Sequence, residues 1–187
     1  MIDTVVLFAG HRLDEPGRAT ARFPPECEER ARQAIRAVLR DIVKGPQGSL
    51  GIAGAADGGD ILFHEVCEEL GIESEVCLAL PPAEYVHTSV QPSWRARFHR
   101  LLDTHPAVVL ELGPGDVWLQ DQQWQLGRVR ERCPRRTVLL ALLEETETDT
   151  AGGTSGMARM AQESGIEVIR LDARKICGGT VSDTDAM

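Results

Sequence analysis

The organisation of this chain is clearest at residues 54–65, which read Gly54-Ala55-Ala56-Asp57-Gly58-Gly59-Asp60-Ile61-Leu62-Phe63-His64-Glu65. A short, mostly apolar segment, residues 49–53, precedes them, and apolar residues then recur at helical spacing as far as Gly71. This order predicts a strand, a glycine-rich turn and a helix. The first turn of a helix presents unpaired N–H groups and positive partial charge, and glycines let a ligand approach the backbone closely. We therefore expect the turn at residues 54–60 to bind a phosphate group.

Apolar runs and helical periodicity alternate along the rest of the chain. Strands are predicted at residues 4–9, 49–53, 73–80, 107–112, 136–143 and 166–171. Helices are predicted at residues 25–44, 60–70, 93–102, 116–132 and 157–165. This alternation predicts an α/β protein with a single-domain, three-layer Rossmann-like fold, in which a mostly parallel sheet of about six strands carries helices on both faces. The domain is predicted to span residues 1–173, and residues 174–187, which have little to bury, are predicted to form a flexible tail.

Charge and cysteine content restrict the function classes. Twenty Lys and Arg against 29 Asp and Glu give a net charge of −9, which disfavours binding to nucleic acid. The five cysteines are an odd number without a C-x-x-C pair, which favours neither a zinc site nor a disulfide framework and indicates a reducing compartment. The start of the chain lacks the features of a signal peptide, and no apolar window is long enough to span a membrane. We therefore expect a cytoplasmic protein with no bound metal and no membrane partner.

Three polar or glycine-rich loops follow predicted strands, beginning at Gly10, Gly54 and Glu144. In open α/β sheets, ligands bind beyond the carboxyl ends of the strands. We therefore expect these three loops to lie along one rim of the sheet.

The first of these loops offers cationic side chains. It contains Gly10-His11-Arg12 and Gly17-Arg18. Arg12 and Arg18 could bind a phosphate bidentately, or they could pair with Asp14, Glu15 or another carboxylate instead.

Acidic residues of the central turn have competing interpretations. Asp60 stands where a helix N-cap is expected, and if Asp57 or Asp60 contacts ligand it should accept from ribose hydroxyls, because a carboxylate repels phosphate. Glu65 could be solvated or could face the rim. The late loop Gly152-Gly153-Thr154-Ser155 is a second candidate phosphate site at a helix start, with capping by Thr154 or Ser155 as the structural alternative.

Better-known loops are excluded by inspection. Residues 54–59 lack the Gly-Lys-Ser/Thr ending of a Walker loop, and neither of the first two strands is followed by G-x-G-x-x-G. The chain also lacks the G-x-S-x-G elbow of α/β-hydrolases.

Together these motifs resemble the SLOG superfamily of Rossmann-like domains over roughly residues 4–172. The motifs that carry the resemblance are Gly10-His11-Arg12, Gly54 to Asp60 with Glu65, and Gly152-Gly153-Thr154 with Met157. That superfamily includes lysine-decarboxylase-like phosphoribohydrolases, DNA-processing proteins and nucleotide-sensing domains of bacterial conflict systems. The chain is most similar to the sensor-type members. It departs from the phosphoribohydrolases because Ala151 replaces a proline and Met157-Ala158-Arg159-Met160 replaces their catalytic glutamates.

The resemblance implies a domain that senses a nucleotide or a nucleotide-derived ligand, such as an NAD-related compound or a cyclic nucleotide, and that requires no cofactor. An effector domain or protein, or a second copy of the chain, would be its partner. The alternative is an enzyme that hydrolyses the N-glycosidic bond of a nucleotide, with Glu65 as the catalytic carboxylate and Arg18 as the phosphate anchor. Handling of single-stranded DNA is the third interpretation, which the net charge disfavours.

Overall fold

A six-stranded parallel sheet forms the centre of the molecule. The computed structural model describes residues 2–144 and 153–178. The strands are β1 (Thr4–Gly10), β2 (Ser49–Ala53), β3 (Glu73–Leu78), β4 (Ala107–Val109), β5 (Arg136–Leu143) and β6 (Glu167–Asp172). Their order is β4-β3-β2-β1-β5-β6, and every neighbouring pair is parallel. The predicted α/β Rossmann-like class is therefore confirmed.

Helices cover both faces of this sheet. They are α1 (Glu28–Ile42), α2 (Gly59–Leu70), α3 (Pro82–Ser89), α4 (Arg95–Thr104), α5 (Val117–Glu131), α6 (Thr154–Glu163) and α7 (Ala173–Ile176). Side chains of β1 alternate between the faces, as the pleat requires. Val6 and Phe8 pack with α1, α2 and α4, whereas Val5 and Leu7 pack with α5 and α6.

Several element boundaries differ from the predicted ones. The third and fourth strands end earlier than expected, at Leu78 and Val109. Helix α3 is not among the helices predicted from the sequence. Pro82 lies in the first turn of α3, where a proline sacrifices no helical hydrogen bond. Helix α6 begins three residues before the predicted Met157.

The C-terminal end of the described chain packs against the rest of the domain and is linked to it by a disulfide. Residues 174–176, which were assigned to a flexible tail, belong to α7, whose first residue, Ala173, is fully buried. Cys27 and Cys177 form a disulfide, so the expectation of unpaired cysteines is wrong for this pair. The fold brings these two cysteines together across 150 positions of sequence, which their spacing alone did not reveal.

Candidate functional site

The predicted rim contains a pocket of about 500 Å³, within the usual size range of small-molecule sites. It lies where β1, β2 and β5 end and where α5 and α6 close the opposite side. Eight predicted site residues line it: Gly10, His11, Arg12, Gly54, Ala56, Asp60, Gly153 and Thr154. Residues of β1, the β1–α1 loop, α3, α5 and α6 complete the lining, namely Phe8, Ala9, Arg22, Tyr85, Thr88, Ser89, Trp118, Asp121, Gln122, Gln125 and Met157.

The amides of the β2–α2 turn are occupied by acceptors of the protein itself. Ala55 N donates to the Tyr85 hydroxyl at 3.2 Å and Ala56 N donates to Asp60 Oδ2 at 3.2 Å. Asp57 N and Gly59 N donate to backbone carbonyls at 3.1 and 3.0 Å. A backbone N–H with an internal partner is not available to a phosphate without breaking that bond. A phosphate bound by the amides of residues 55, 56, 57 and 59 would therefore have to displace these internal bonds.

The glycines of this turn instead allow two loops to pack closely. Gly58 has φ +95°, and a Cβ there would lie 2.8 Å from both His11 O and Leu13 N. A Cβ on Gly59 would lie 3.0 Å from the Cα of Gly10. The glycines at positions 58 and 59 thus allow the loop that follows β1 to pack against this turn.

Asp60 is not the N-cap of α2, because Gly58 occupies that position and offers no side chain. The Asp60 carboxylate and Tyr85 both line the pocket. Both lie close to Gly54, because a Cβ added there would come within 2.6 Å of Asp60 Oδ2 and 3.2 Å of the Tyr85 hydroxyl. Burial raises the pKa of Asp60 to about 7, although hydrogen bonds from the Ala56 and Gly10 amides act to lower it. Asp60 therefore titrates near neutral pH.

Arg12 takes the paired alternative. Its Nε donates to Asp57 Oδ1 at 2.8 Å and its Nη1 to Thr88 O at 3.2 Å. Asp57 is fully buried and also accepts from Gln91 N, so its contacts are internal. The Arg12 side chain is nevertheless 40% exposed and lines the pocket.

Arg18 and Gly17 do not line the pocket. Arg18 lies 3.3 Å from Asp14 Oδ1 and donates to Thr20 O. Arg22, which the sequence analysis did not select, lines the pocket in its place. Arg18 is therefore not positioned to anchor a phosphate in this pocket.

His11 is a buried, neutral side chain of this wall. Its Nε2 accepts a hydrogen bond from Glu144 N at 3.2 Å. Burial and, to a smaller extent, the charge of Arg22 lower the pKa of His11 to about 4. His11 thus joins the β1 loop to the end of β5 and does not act as a cation at neutral pH.

Glu65 lies away from the pocket, between α1 and α4. It pairs with Arg32, and with Arg97 at 2.6 Å. Burial acts to raise the pKa of Glu65, but hydrogen bonds and charges of Arg97 and Arg32 outweigh it, so the pKa lies below its ordinary value. A catalytic role for Glu65 in this pocket is therefore excluded by its position.

The α5 wall of the pocket was missed by the sequence analysis. Gln122 Nε2 donates to Gly153 O at 2.8 Å, and Gln125 Nε2 donates to Asp121 Oδ2 at 2.9 Å. Burial raises the pKa of Asp121 to about 7, against the hydrogen bond from Gln125. The available signal was the set of polar residues at positions 121, 122 and 125, which share one helical face otherwise expected to be apolar.

The late loop reaches the pocket through Gly153 and Thr154. Gly153 is the N-cap of α6, and no side-chain cap is found there, so the capping alternative for Thr154 or Ser155 does not apply. Ser155 does not line the pocket, and Gly152 lies outside the described residues. The start of α6 consequently brings the positive end of a helix dipole to the pocket.

The described residues contain neither a candidate metal cluster nor a helix able to span a membrane. Within residues 2–144 and 153–178, no group of three or more His, Cys, Asp or Glu could hold a metal ion. Over the same ranges, each helix is too short or too polar to cross a bilayer.

Comparisons with known proteins reach only a distant similarity. No protein-family profile matches the chain, and no curated protein matches it. Among solved structures, the chain is similar to DNA processing protein A (DprA) from Streptococcus pneumoniae, with 12% identity and a TM-score of 0.39. The match covers 94% of this chain and 61% of the DprA chain. At this level the similarity carries no argument about activity, and assignment to the sensor-type branch of the SLOG superfamily stays a prediction.

Proposed function

We propose that this domain binds a nucleotide or a nucleotide-derived ligand in the pocket at the carboxyl ends of β1, β2 and β5. The observation that carries the proposal is the meeting of three loops, distant in sequence, around one cavity of about 500 Å³ that has both cationic and hydroxyl-accepting walls. A nucleotide presents phosphate and sugar hydroxyls within one molecule of matching size.

Cations on the β1 side of the pocket would bind the phosphate. Arg12 and Arg22 both line the pocket there, and guanidinium groups bind phosphate through charge-assisted hydrogen bonds. The start of α6 adds a positive dipole end to the same cavity. This assignment moves the phosphate away from the α2 turn, where the sequence analysis had placed it.

The remaining walls suit the sugar and the base. Asp60 and Asp121 are acceptors for hydroxyl groups. Trp118 is 39% exposed at the pocket, and a partly exposed indole ring is a stacking surface for a base. A sensing role in bacterial signalling, with an effector or a second copy as partner, follows from the resemblance and belongs to the same proposal.

Calorimetric and thermal-shift titrations with mononucleotides, dinucleotides and cyclic nucleotides test the proposal. A ligand at about 100 times its dissociation constant should stabilise the domain by about 2.7 kcal/mol. Arg22→Ala should weaken binding of the phosphate-bearing ligand, whereas Arg40→Ala, an exposed change on α1, should not. If no phosphate-bearing compound binds at millimolar concentration, the proposal is wrong.

A second candidate, hydrolysis of an N-glycosidic bond, is favoured by one observation. Two carboxyl groups with pKa values of about 7, those of Asp60 and Asp121, line the same pocket, and such groups serve in general acid–base catalysis. Incubation with nucleoside monophosphates, followed by chromatography for free base, tests this candidate. Release of base that Asp121→Asn and Asp60→Asn abolish would support it, and intact nucleotides after prolonged incubation would dismiss it.

A further inference from the structure

Two neighbouring residues of α5 present buried hydrogen-bond acceptors without a partner. Asp121 Oδ1 and Gln122 Oε1 are removed from solvent and accept no hydrogen bond within the described part of the chain. Both residues line the pocket, and Gln122 is only 7% exposed. Most buried polar groups in proteins have a partner, so two adjacent exceptions at a pocket require an explanation.

The orientation of both groups is set by their other contacts. Gln122 Nε2 donates to Gly153 O at 2.8 Å, and the reversed amide would place two acceptor oxygens against each other. Asp121 is held differently: the bond that Gln125 Nε2 donates to Oδ2 at 2.9 Å positions the carboxylate and leaves Oδ1 as the unsatisfied oxygen. The two acceptors are therefore held in place before any ligand arrives.

A pair of adjacent acceptors is complementary to a pair of adjacent donors. A phosphate offers further acceptor oxygens, which the Asp121 carboxylate would repel when ionised. Most base edges alternate a donor with an acceptor and would satisfy only one of the two oxygens. Leaving a buried acceptor unsatisfied in the complex weakens binding.

We infer that the α5 wall, through Asp121 and Gln122, selects a ligand group that carries two adjacent hydrogen-bond donors. Two parts of a nucleotide have this chemistry: the vicinal hydroxyls of ribose, and the edge of guanine that carries a ring N–H beside an amino group. This inference rests on the proposed function and adds the specificity of the site. It orients the ligand with its phosphate toward Arg12 and Arg22 and its donor group toward α5.

Titration calorimetry of the wild-type chain with AMP, dAMP, GMP and dGMP separates the two sources. All titrations are made at pH 8.5, where the Asp121 carboxyl is ionised, and at one salt concentration. If ribose supplies the donors, AMP and GMP should each bind at least about tenfold more tightly than their 2′-deoxy forms. If guanine supplies them, GMP and dGMP should each bind at least about tenfold more tightly than AMP and dAMP.

Variants of α5 test whether these two residues cause the discrimination. Asp121→Asn can keep the bond from Gln125 while turning a donor toward the pocket, so it should remove the preference and weaken the preferred ligands at least about tenfold. Gln122→Met removes the other acceptor at similar volume and should act in the same direction. Asp103→Asn on α4 and Gln123→Met on α5, both exposed, are the matched controls and should bind as the wild type does.

The outcomes distinguish this inference from the proposed function. Equal binding of all four nucleotides to the wild type overturns the inference and leaves the proposed function intact. A preference that persists in both Asp121→Asn and Gln122→Met also overturns it, with circular dichroism showing that the variants are folded. If none of the four compounds binds at millimolar concentration, the inference is overturned, and the proposed function is overturned with it only if the dinucleotides and cyclic nucleotides also fail to bind.

Discussion

Replacing Asp60 by asparagine will change how the stability of this domain depends on pH. Burial raises the pKa of Asp60 from its ordinary value of 3.8 to about 7. Because the folded state holds this proton more tightly than the unfolded state does, stability falls as pH rises between the two values. A difference of about three pH units corresponds to about 4 kcal/mol. Part of Asp60 faces the pocket, where water screens the charge, so this is an upper limit.

Urea unfolding of the wild type and Asp60→Asn at pH values from 4 to 8.5 measures the effect. The free energy of unfolding of the variant, relative to the wild type, should rise by up to about 4 kcal/mol between pH 4 and pH 8. Any constant effect of the lost hydrogen bond shifts the whole difference and leaves its slope unchanged. Asp103→Asn, which changes an exposed carboxyl on α4, is the control. A difference between wild type and Asp60→Asn that stays constant over the range would refute the reasoning.

Three further changes test other parts of the structure. Gly58→Ala should destabilise the domain by about 1–3 kcal/mol in urea unfolding, because φ is +95° and the added Cβ meets backbone at 2.8 Å. As a control, Gly127→Ala, in the interior of α5 with open space around it, should stabilise the domain by about 0.5–1 kcal/mol. Equal effects of the two substitutions would contradict this account. Glu65→Gln should lower stability by about 1–3 kcal/mol, since it removes the charge that Arg32 and Arg97 share and leaves Glu69 and Glu28 as their nearest charged partners. Ligand affinity measured by calorimetry should stay within twofold, and a large loss of affinity would return Glu65 to the site. Cys177→Ser should lower the stability of the oxidised protein by about 2–5 kcal/mol, and this difference should vanish in reductant. Mass spectrometry that shows Cys27 as a free thiol in the oxidised wild type would rule out the disulfide.

The fold was accessible from the sequence because its signals are local. The apolar run at residues 4–9 and the stronger one at 136–143 appear as the paired central strands β1 and β5. The glycine-rich segment after residue 53 appears as the turn into α2. In each case neighbouring residues alone carry the periodicity, so no knowledge of distant contacts was needed.

The residues of the site could be predicted only in part from the sequence, because their positions and contacts depend on partners that are distant in sequence. Arg18 and Arg22 are four positions apart in the same loop, and only the path of that loop decides that Arg22 lines the pocket. Glu65 faces arginines from two other helices. The carboxyl of Asp121 acquires its raised pKa from burial, which only the folded structure reveals.

The sequence by itself predicted a mostly parallel α/β sheet. It also predicted that the loops beginning at residues 10, 54 and 144 lie along one rim, because strand polarity sends every carboxyl end to the same side. Only the tertiary structure decided which atoms at that edge are available to a ligand. The amides of residues 55, 56, 57 and 59 are already bonded within the protein, whereas the α5 acceptors lack partners among the described residues. The physical reason is that a hydrogen-bonding group is available to a ligand only when no other group of the folded chain is already bonded to it. Whether such a partner is present depends on the tertiary structure.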